Sequence, residues 1–324
     1  MSSPSTPLYL TEADVTELLI MTDALKAVRA GFEHQGRGHA THEPRRRVRV
    51  PAGVLHVMSA ADSESGVMGL KAYTTVKGEA RFHVLLYCSE TGRLLAVIEA
   101  SALGRLRTGA ASGVATDLLA PADASVLAVI GSGYQAWTQV EAIGHVRNLS
   151  EVRVYSRDPD RRRSLSDLLC ARLGLWVFPA ESPEAALDGA HILATATSSA
   201  KPVFPGASVA PGMHLNLAGS NSLLKSEVEA AVVGRADLVT VDSRDAVELE
   251  GGDLLEPLQR GWLQRDALVE LCQVAVGLHP GRTSPEQVTI FKSHGIALED
   301  IALAAVVYRR AIDQNRGVAI PATV

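Results

Sequence analysis

The segment Val126-Leu-Ala-Val-Ile130-Gly-Ser-Gly-Tyr-Gln-Ala136 holds the residues whose spacing speaks most directly to chemistry. Val126 to Ile130 is an apolar run that reads as a buried strand. Gly131 then permits a tight turn, Gly133 lets backbone approach a pyrophosphate, and Ala136 allows close packing of helix on strand. The N-terminus of the following helix offers unpaired N–H groups and partial positive charge to a phosphate. A lone G-x-G-x-x-A is weak, since ordinary α/β proteins also carry glycine turns. Here a strand precedes it, a helix follows, and a second strand begins about 20 residues on, as a dinucleotide site requires. After that second strand, an acidic residue would bind the ribose 2′-hydroxyl and select NAD. The position holds Ser156 and Arg157, whose hydroxyl and guanidinium suit a 2′-phosphate. NADP(H) is therefore the expected cofactor, with NAD(H) still open because Asp158 comes one residue later.

Two basic residues stand in apolar surroundings. Lys71 lies in Val67-Met-Gly-Leu-Lys-Ala72, where an inward lysine is costly unless it has a partner or a task. Arg107 lies in an Ala/Leu-rich helix, where burial would demand a partner. The bland alternatives are an outward lysine and a surface arginine.

The elements that must position these groups fall into two blocks. Thr11 and Asp14 form a helix start with a capping hydroxyl and a carboxylate three residues on. Thr22-Asp23 caps a second helix through Phe32, and residues 36–42 read as loop. Strands at 47–50, 54–59, 67–75, 83–87 and 94–99, separated by Gly-containing turns, predict an antiparallel sheet with hairpin connections. Residues 100–119 predict a long helix. From Ser125 strands and helices alternate, the mark of a parallel sheet, with strands at 126–130, 152–155, 176–178, 192–196, 214–217, 238–241 and 288–292. A short helix at 183–188 and an amphipathic helix at 299–315 complete the chain. The expected fold class is α/β: a Rossmann-type doubly wound parallel sheet plus an α+β domain with a mainly antiparallel sheet. The expected domains are residues 1–119, joined by the C-terminal helix 298–324, and residues 120–297.

Composition narrows the function class. The 324 residues suit two domains, and 31 basic against 36 acidic residues give a net charge of −5. The runs Arg45-Arg46-Arg47 and Arg161-Arg162-Arg163 are short, so no nucleic-acid surface is expected. Cys88, Cys170 and Cys272 fit neither a zinc site nor a disulfide framework, and no metal is expected. No apolar stretch reaches the roughly 20 residues of a membrane span. The N-terminus lacks a signal-peptide pattern. A cytoplasmic protein is expected.

Six stretches together resemble the ornithine cyclodeaminase/μ-crystallin superfamily of nicotinamide-dependent enzymes. They are Gly69-Leu-Lys71, Glu90-Thr-Gly92, Leu103 through Ala110, Gly131 through Ala136, Asn216-Leu-Ala-Gly-Ser-Asn221, and Phe291 through Asp300, in family order across nearly the whole chain. The resemblance implies a substrate domain whose sheet mediates dimerisation, so a homodimer, and a Rossmann domain. It places a substrate-carboxylate clamp at Arg47 and Arg107, with Arg46 or Arg49 as alternatives to Arg47. Guanidinium grips carboxylate through paired hydrogen bonds and keeps its charge. It makes Lys71 the proton donor or acceptor, lines the substrate pocket with Met58, and puts Lys225 near substrate. Cofactor contacts follow at Thr108, Gly131, Gly133, Tyr134, Gln135, Thr197 and Ser293. His294 is either a substrate-facing proton donor or a spectator; Met58 is otherwise simply core. The segment 74–83 is shorter than the family's usual loop.

Asn221 departs from the family pattern. Cyclodeaminases carry aspartate there, and asparagine keeps the shape but cannot be a base. The resemblance therefore implies a reductase of α-imino acids, with Δ1-pyrroline-2-carboxylate or Δ1-piperideine-2-carboxylate as fitting substrates, or an amino-acid dehydrogenase in reverse. The alternatives are an ornithine cyclodeaminase and a non-catalytic NADPH- or ligand-binding protein.

Overall fold

The computed structural model describes residues 6–321, which divide into two compact units. Residues through Arg107 together with those from Ile296 onward form the first, and Thr108–Gly295 form the second. The boundary falls inside the helix Ser101–Leu119.

The first unit holds strands β1 (Leu8–Leu10), β2 (Ala40–Val50), β3 (Gly53–Asp62), β4 (Val67–Val76), β5 (Glu79–Cys88) and β6 (Leu94–Glu99). A two-residue strand, Val318–Ala319, pairs with β1, and the sheet continues β1-β6-β5-β4-β3-β2. Strands β2 to β6 form an antiparallel meander, as their turn-separated alternation predicts; β1 joins β6 in parallel. At the β4–β5 turn, Lys77 and Gly78 have φ of 50° and 84°. Positive φ at both central residues is the mark of the tight two-residue hairpin turn whose twist matches its strands. That turn is why the segment 74–83 is short.

Helix Ala297–Asp313 packs on this meander. Its Leu298, Ile301, Ala305 and Val307 are buried, and β4 offers Gly69 beneath it, where a Cβ would lie 2.7 Å from Ile301 Cδ1. Close approach is bought by the missing side chain.

The second unit is an all-parallel sheet of β7 (Val126–Ile130), β8 (Glu151–Tyr155), β9 (Val177–Pro179), β10 (Ile192–Thr195), β11 (His214–Leu217), β12 (Leu238–Val241), β13 (Val269–Glu270) and β14 (Thr289–Lys292). Its order is β13-β12-β14-β11-β10-β7-β8-β9. Leu127 and Val129 enter one apolar cluster with Val140, Ile143 and Leu169. Ala128 and Ile130 enter the other, with Leu193, Leu215 and Ile290. Both faces of β7 are thus covered, as its unbroken apolar run requires. Strand order reverses between β7 and β10, and ligands of such sheets bind beyond the strand carboxyl ends at that point.

The sequence reading misplaces several edges, each for a physical reason. The capping box at Thr11 forms, with Thr11 Oγ1 accepting from the Asp14 amide and Asp14 accepting from the Thr11 amide. Thr22-Asp23, however, is no cap: the second helix is Met21–Gly36, with Ile20 before it. Asp23 instead pairs with Arg310 at 2.7 Å. The expected loop 36–42 is partly strand, because β2 starts at Ala40. A register shift between Glu43 and Arg46, at Pro44, breaks the alternation that would reveal it. The last helix begins at Ala297, two residues early. Strands β1, β13 and Val318–Ala319 are too short to leave a pattern.

Candidate active site

In the first unit the central group is Lys71 on β4, 2% exposed. Its Nζ donates to Asp300 Oδ1 at 2.8 Å. Arg107 meets the same carboxylate through Nε at 3.3 Å and gives Nη1 to Glu299 Oε2 at 2.9 Å. Glu299 and Asp300 sit in the first turn of helix Ala297–Asp313, both buried. Two cations and two anions thus share one dry cluster. Burial pushes the Lys71 ammonium down to about 8, against the pull of Asp300 and with the help of Arg107 and Arg45. An amine near 8 exchanges protons close to neutrality, which suits a general acid or base. Gly104 backs this lysine, since a Cβ there would lie 3.0 Å from Nζ.

Around Lys71 the sheet register sets the neighbours. Met58 is its partner on β3 and is buried. One same-face step along the strands runs the row Arg47–His56–Tyr73–Phe82, each residue in register with the next. His56 stacks on Tyr73 with ring centroids 4.1 Å apart, and Tyr73 on Phe82 at 4.9 Å. Lys71 Nζ lies 5.2 Å from the Phe82 centroid. The buried guanidinium of β2 is that of Arg45, 5% exposed and 6.0 Å from the Tyr73 centroid. Arg47 is half-buried at the outer end of the row. Sequence reasoning passed over Arg45, treating it as part of a solvated run. The alternation of Arg45, Arg47 and Arg49 after a proline was the available signal. It also gave Glu299 and Asp300 no role, although apolar residues on both sides marked them as buried.

In the second unit the dinucleotide motif takes the geometry its residues dictate. Gly131 has φ of 126°, and a Cβ there would sit 2.5 Å from the Ala196 carbonyl. No L side chain fits that conformation comfortably. Its N–H donates to Tyr155 O at 2.8 Å. A Cβ on Gly133 would meet open space, which leaves room for a ligand against the backbone. Helix Ala136–Val146 begins there with Gln135 at its N-cap and no side-chain cap. The Ala136 amide donates to the Gly133 carbonyl at 3.2 Å, and the positive end of the helix faces this turn without a capping side chain, as an anion site requires. These features fit a pyrophosphate. Tyr134 is exposed beside them. Thr108 is buried, and its carbonyl accepts from Gln139 Nε2 at 3.4 Å.

At the end of β8, Ser132 Oγ donates to Ser156 Oγ at 2.9 Å, and Arg157 is exposed. Asp158 caps helix Pro159–Leu173, accepting from the Asp160 and Arg161 amides at 3.1 Å each. Its carboxylate is occupied by that cap.

A buried charge network ties down the carboxyl ends of β10, β11 and β14. Glu227 accepts from Thr195 Oγ1 at 2.9 Å, from the Thr197 amide at 2.8 Å and from the Gly219 amide at 2.8 Å. Asp253 accepts from the Glu227 amide and pairs with Lys292 at 2.8 Å. Lys292 also donates to the Ser220 carbonyl. The loop held this way carries Asn221, exposed, and Lys225, half-buried. Ser293 is buried, with its hydroxyl 3.5 Å from Asp242. His294 is buried with its Nδ1 2.9 Å from Asp242, whose other oxygen accepts the His294 and Gly295 amides. Burial opposes the Asp242 charge, but His294 and these amides hold its carboxyl below the usual range. None of Glu227, Asp242, Asp253 or Lys292 was singled out from sequence. Isolated charges in apolar strands and loops reveal a network only once the strands are assembled.

Replacing Glu227 with Gln should set an amide N–H₂ against at least one of the three donors, since Thr195 and Gly219 share one carboxylate oxygen and Thr197 uses the other. Unmet buried donors cost about 1–3 kcal/mol each, so dinucleotide affinity should fall roughly tenfold or more, read by cofactor fluorescence titration alongside a thermal melt. Unchanged affinity would show that this loop anchor does not shape the cofactor site.

Residues 6–315 match the ornithine cyclodeaminase/mu-crystallin family. A Δ1-pyrroline-2-carboxylate reductase of Bacillus cereus is 35% identical over 258 residues, covering 77% of this chain and 79% of that protein. The solved structure of the Thermococcus litoralis Δ1-pyrroline-2-carboxylate reductase, in complex with NADH and L-proline, superimposes with a TM-score of 0.92 at 29% identity, over 97% of this chain and 100% of that one. An archaeal alanine dehydrogenase dimer with bound NAD gives a TM-score of 0.91 at 31% identity, over 97% and 99%. By its motifs, its fold and these matches, the chain belongs to the ornithine cyclodeaminase/mu-crystallin family.

Proposed function

We propose that this chain is a nicotinamide-dependent reductase of α-imino acids, and an amino-acid dehydrogenase in reverse. The observation that carries the reading is the buried Lys71–Asp300 pair with Arg45 and Arg107 beside it. In this proposal Arg45 and Arg107 hold the substrate carboxylate, and Lys71 stands at the imine nitrogen. A bound reduced nicotinamide supplies a hydride to the imine carbon. As the C=N π pair moves to nitrogen, the Lys71 ammonium delivers a proton there, leaving a neutral amine that Asp300 orients. Glu299 holds Arg107 in place for the clamp. The charged cluster is set before substrate arrives, so little reorganisation is needed at the reacting centre. The Bacillus and Thermococcus relatives named for Δ1-pyrroline-2-carboxylate support a cyclic imino acid among the substrates. Asn221 disfavours cyclisation of ornithine, because an amide cannot take the proton of the substrate amine.

For the cofactor we propose a preference for NADP(H), with NAD(H) accepted. The neighbouring structures hold NADH or NAD. Here Ser156 and Arg157 offer a hydroxyl and a guanidinium, and Asp158 is committed to its helix cap. A homodimer through the first unit's sheet is supported by the alanine dehydrogenase dimer and by Val48, Val50 and Leu55, 62%, 60% and 41% exposed. Among the described residues no helix is long and apolar enough to cross a membrane. The three cysteines are unpaired, which supports a cytoplasmic setting.

Imine-dependent loss of NADPH absorbance, with a cyclic imino acid panel and ornithine alongside, tests the reading; proline from ornithine without net cofactor change would overturn it. Reduction needs protonated Lys71, so kcat/KM should hold below about pH 8 and fall as pH rises through it, with the oxidative direction rising over the same range. Asp300→Asn removes the anion that supports the ammonium and should move this limb to lower pH. It should also lower the melting temperature, because breaking a buried pair costs about 3–5 kcal/mol. Arg157→Ala should cut the NADPH-over-NADH preference by about tenfold or more, the scale of a charge-assisted bond of 1.5–3 kcal/mol. Leu55→Asp should shift the light-scattering mass from dimer toward monomer.

A further inference from the structure

Two helices of the first unit start side by side, and each caps the other. β1 and β6 run parallel with Leu10 opposite Ile98, so both chains leave the sheet at the same end. Helix Glu12–Leu18 begins just past Leu10, and helix Ser101–Leu119 just past Ile98. The first amides of a helix have no acceptor within it. The usual remedy is a Ser, Thr, Asp or Asn at the cap. Ala100 stands there in the second of these helices, fully buried, and its methyl group accepts nothing. The acceptor comes instead from Glu12. Its Oε2 takes the Ala102 amide at 2.8 Å, and its Oε1 takes the Ser101 amide. In return Glu99, next to Ala100, accepts the Glu12 amide at 2.8 Å through Oε2 and the Tyr9 hydroxyl at 2.8 Å through Oε1. The Glu12 amide, with Tyr9 behind it, holds the Glu99 carboxyl below its usual range.

The helix anchored this way supports the reacting cluster. The Ala100 amide donates to the Phe82 carbonyl at 3.0 Å, which ties the cap to β5 where the Phe82 ring lies 5.2 Å from Lys71 Nζ. The helix's own ladder starts with Gly104, whose amide donates to the Ala100 carbonyl at 3.0 Å. Gly104 is also the residue at which a Cβ would lie 3.0 Å from Lys71 Nζ, so the helix start fits tightly against the lysine. The next turn brings Arg107 to Asp300 and Glu299. A helix turns by about 100° per residue, so a small slip at its start would swing Arg107 away from both acids. Charge acts at the same place. The start of a helix is its positive end, and Lys71 already stands beside Arg107 and Arg45, with Asp300 as its own anion. The Glu12 carboxylate offsets the helix end from outside that cluster.

We infer that Glu12 is a positioning residue for the reaction: its carboxylate fixes the start of helix Ser101–Leu119, and through it the seat of Gly104 against Lys71 and the reach of Arg107 to Asp300 and Glu299. The Glu12 carboxylate bonds to backbone amides, so it acts through the helix rather than on substrate. Glu99 is its counterpart, holding the Glu12 backbone in place. The inference rests on the imino-acid reductase reading and adds what sets the geometry of its carboxylate clamp.

Glu12→Ala and Glu12→Gln, compared with the unaltered protein in NADPH-dependent reduction of Δ1-pyrroline-2-carboxylate, test it. In Glu12→Ala the KM for the imino acid should rise about fivefold, the scale of one lost helix cap, with kcat changed less. Reduction needs protonated Lys71, so kcat/KM falls as pH rises through the lysine's pKa. With the positive helix end uncompensated, that limb should move to lower pH. Glu12→Gln keeps one acceptor oxygen and no charge. It should recover part of the KM while the limb stays shifted, and it serves if the alanine variant does not fold. NADPH affinity, read by fluorescence titration, should not change, because the dinucleotide turn at Gly131 to Ala136 belongs to the second unit. If imine is reduced but KM and the pH limb match those of the unaltered protein, the inference fails and the reductase reading stands. An NADPH affinity that falls in step with the rise in KM marks a loosened fold and overturns the inference in the same way. If the unaltered protein reduces no imine with either cofactor, both fail.

Discussion

The first unit of the protein is organised by a conflict: a lysine that must be dry to lie near neutrality, and a dry lysine that must not be left alone. Desolvation alone would strip the proton from Lys71, and an exposed partner would leave it at the usual amine value. Asp300 settles the balance from inside, at 2.8 Å and with no exposure. One aspartate cannot be buried beside two cations without further compensation, and Glu299 takes the second contact of Arg107. The first unit is built to make this possible. Its last helix returns along the meander so that its opening turn, where two acids also favour the helix dipole, lies against β4 and the helix that bears Arg107. Gly69 and Gly104 remove the side chains that would keep these elements apart.

The nucleotide half solves a different problem. Its sheet is covered on both faces by apolar clusters. At the strand ends the chain needs loops of defined shape without spending the groups that a dinucleotide will use. Glu227, Asp253 and Lys292 do this from below. They bind the amides and carbonyls that point inward from the ends of β10, β11 and β14. Asp242 plays the same part under Ser293 and His294. The imidazole and the backbone of His294 are both held by that one carboxylate.

Much of this was legible from residue order. The glycine motif, its flanking strand and helix, and the alternation that follows depend on local periodicity and on backbone angles that few residues allow. The antiparallel block was legible from its turns, and Lys71 and Arg107 from the apolar neighbours that make an idle cation expensive. The register break at Pro44 hid the start of β2 and, with it, the sorting of the arginines. Arg45 became visible only as the buried member of its run. Asp300 lies 229 residues from the lysine it serves, and no local pattern reports such a distance.

Sequence by itself thus determined the two-block architecture, the dinucleotide turn, the family and the presence of a lysine in apolar surroundings at position 71. These rest on short-range rules of period, conformation and solvation, which act within a dozen residues. Tertiary structure alone decided which acid holds that lysine, which arginine is buried beside it, that Asp158 is bound to a helix cap, and that four scattered charges brace the loops of the cofactor half. Those choices depend on register and packing between distant segments. There a shift of one residue would turn each side chain to the opposite face.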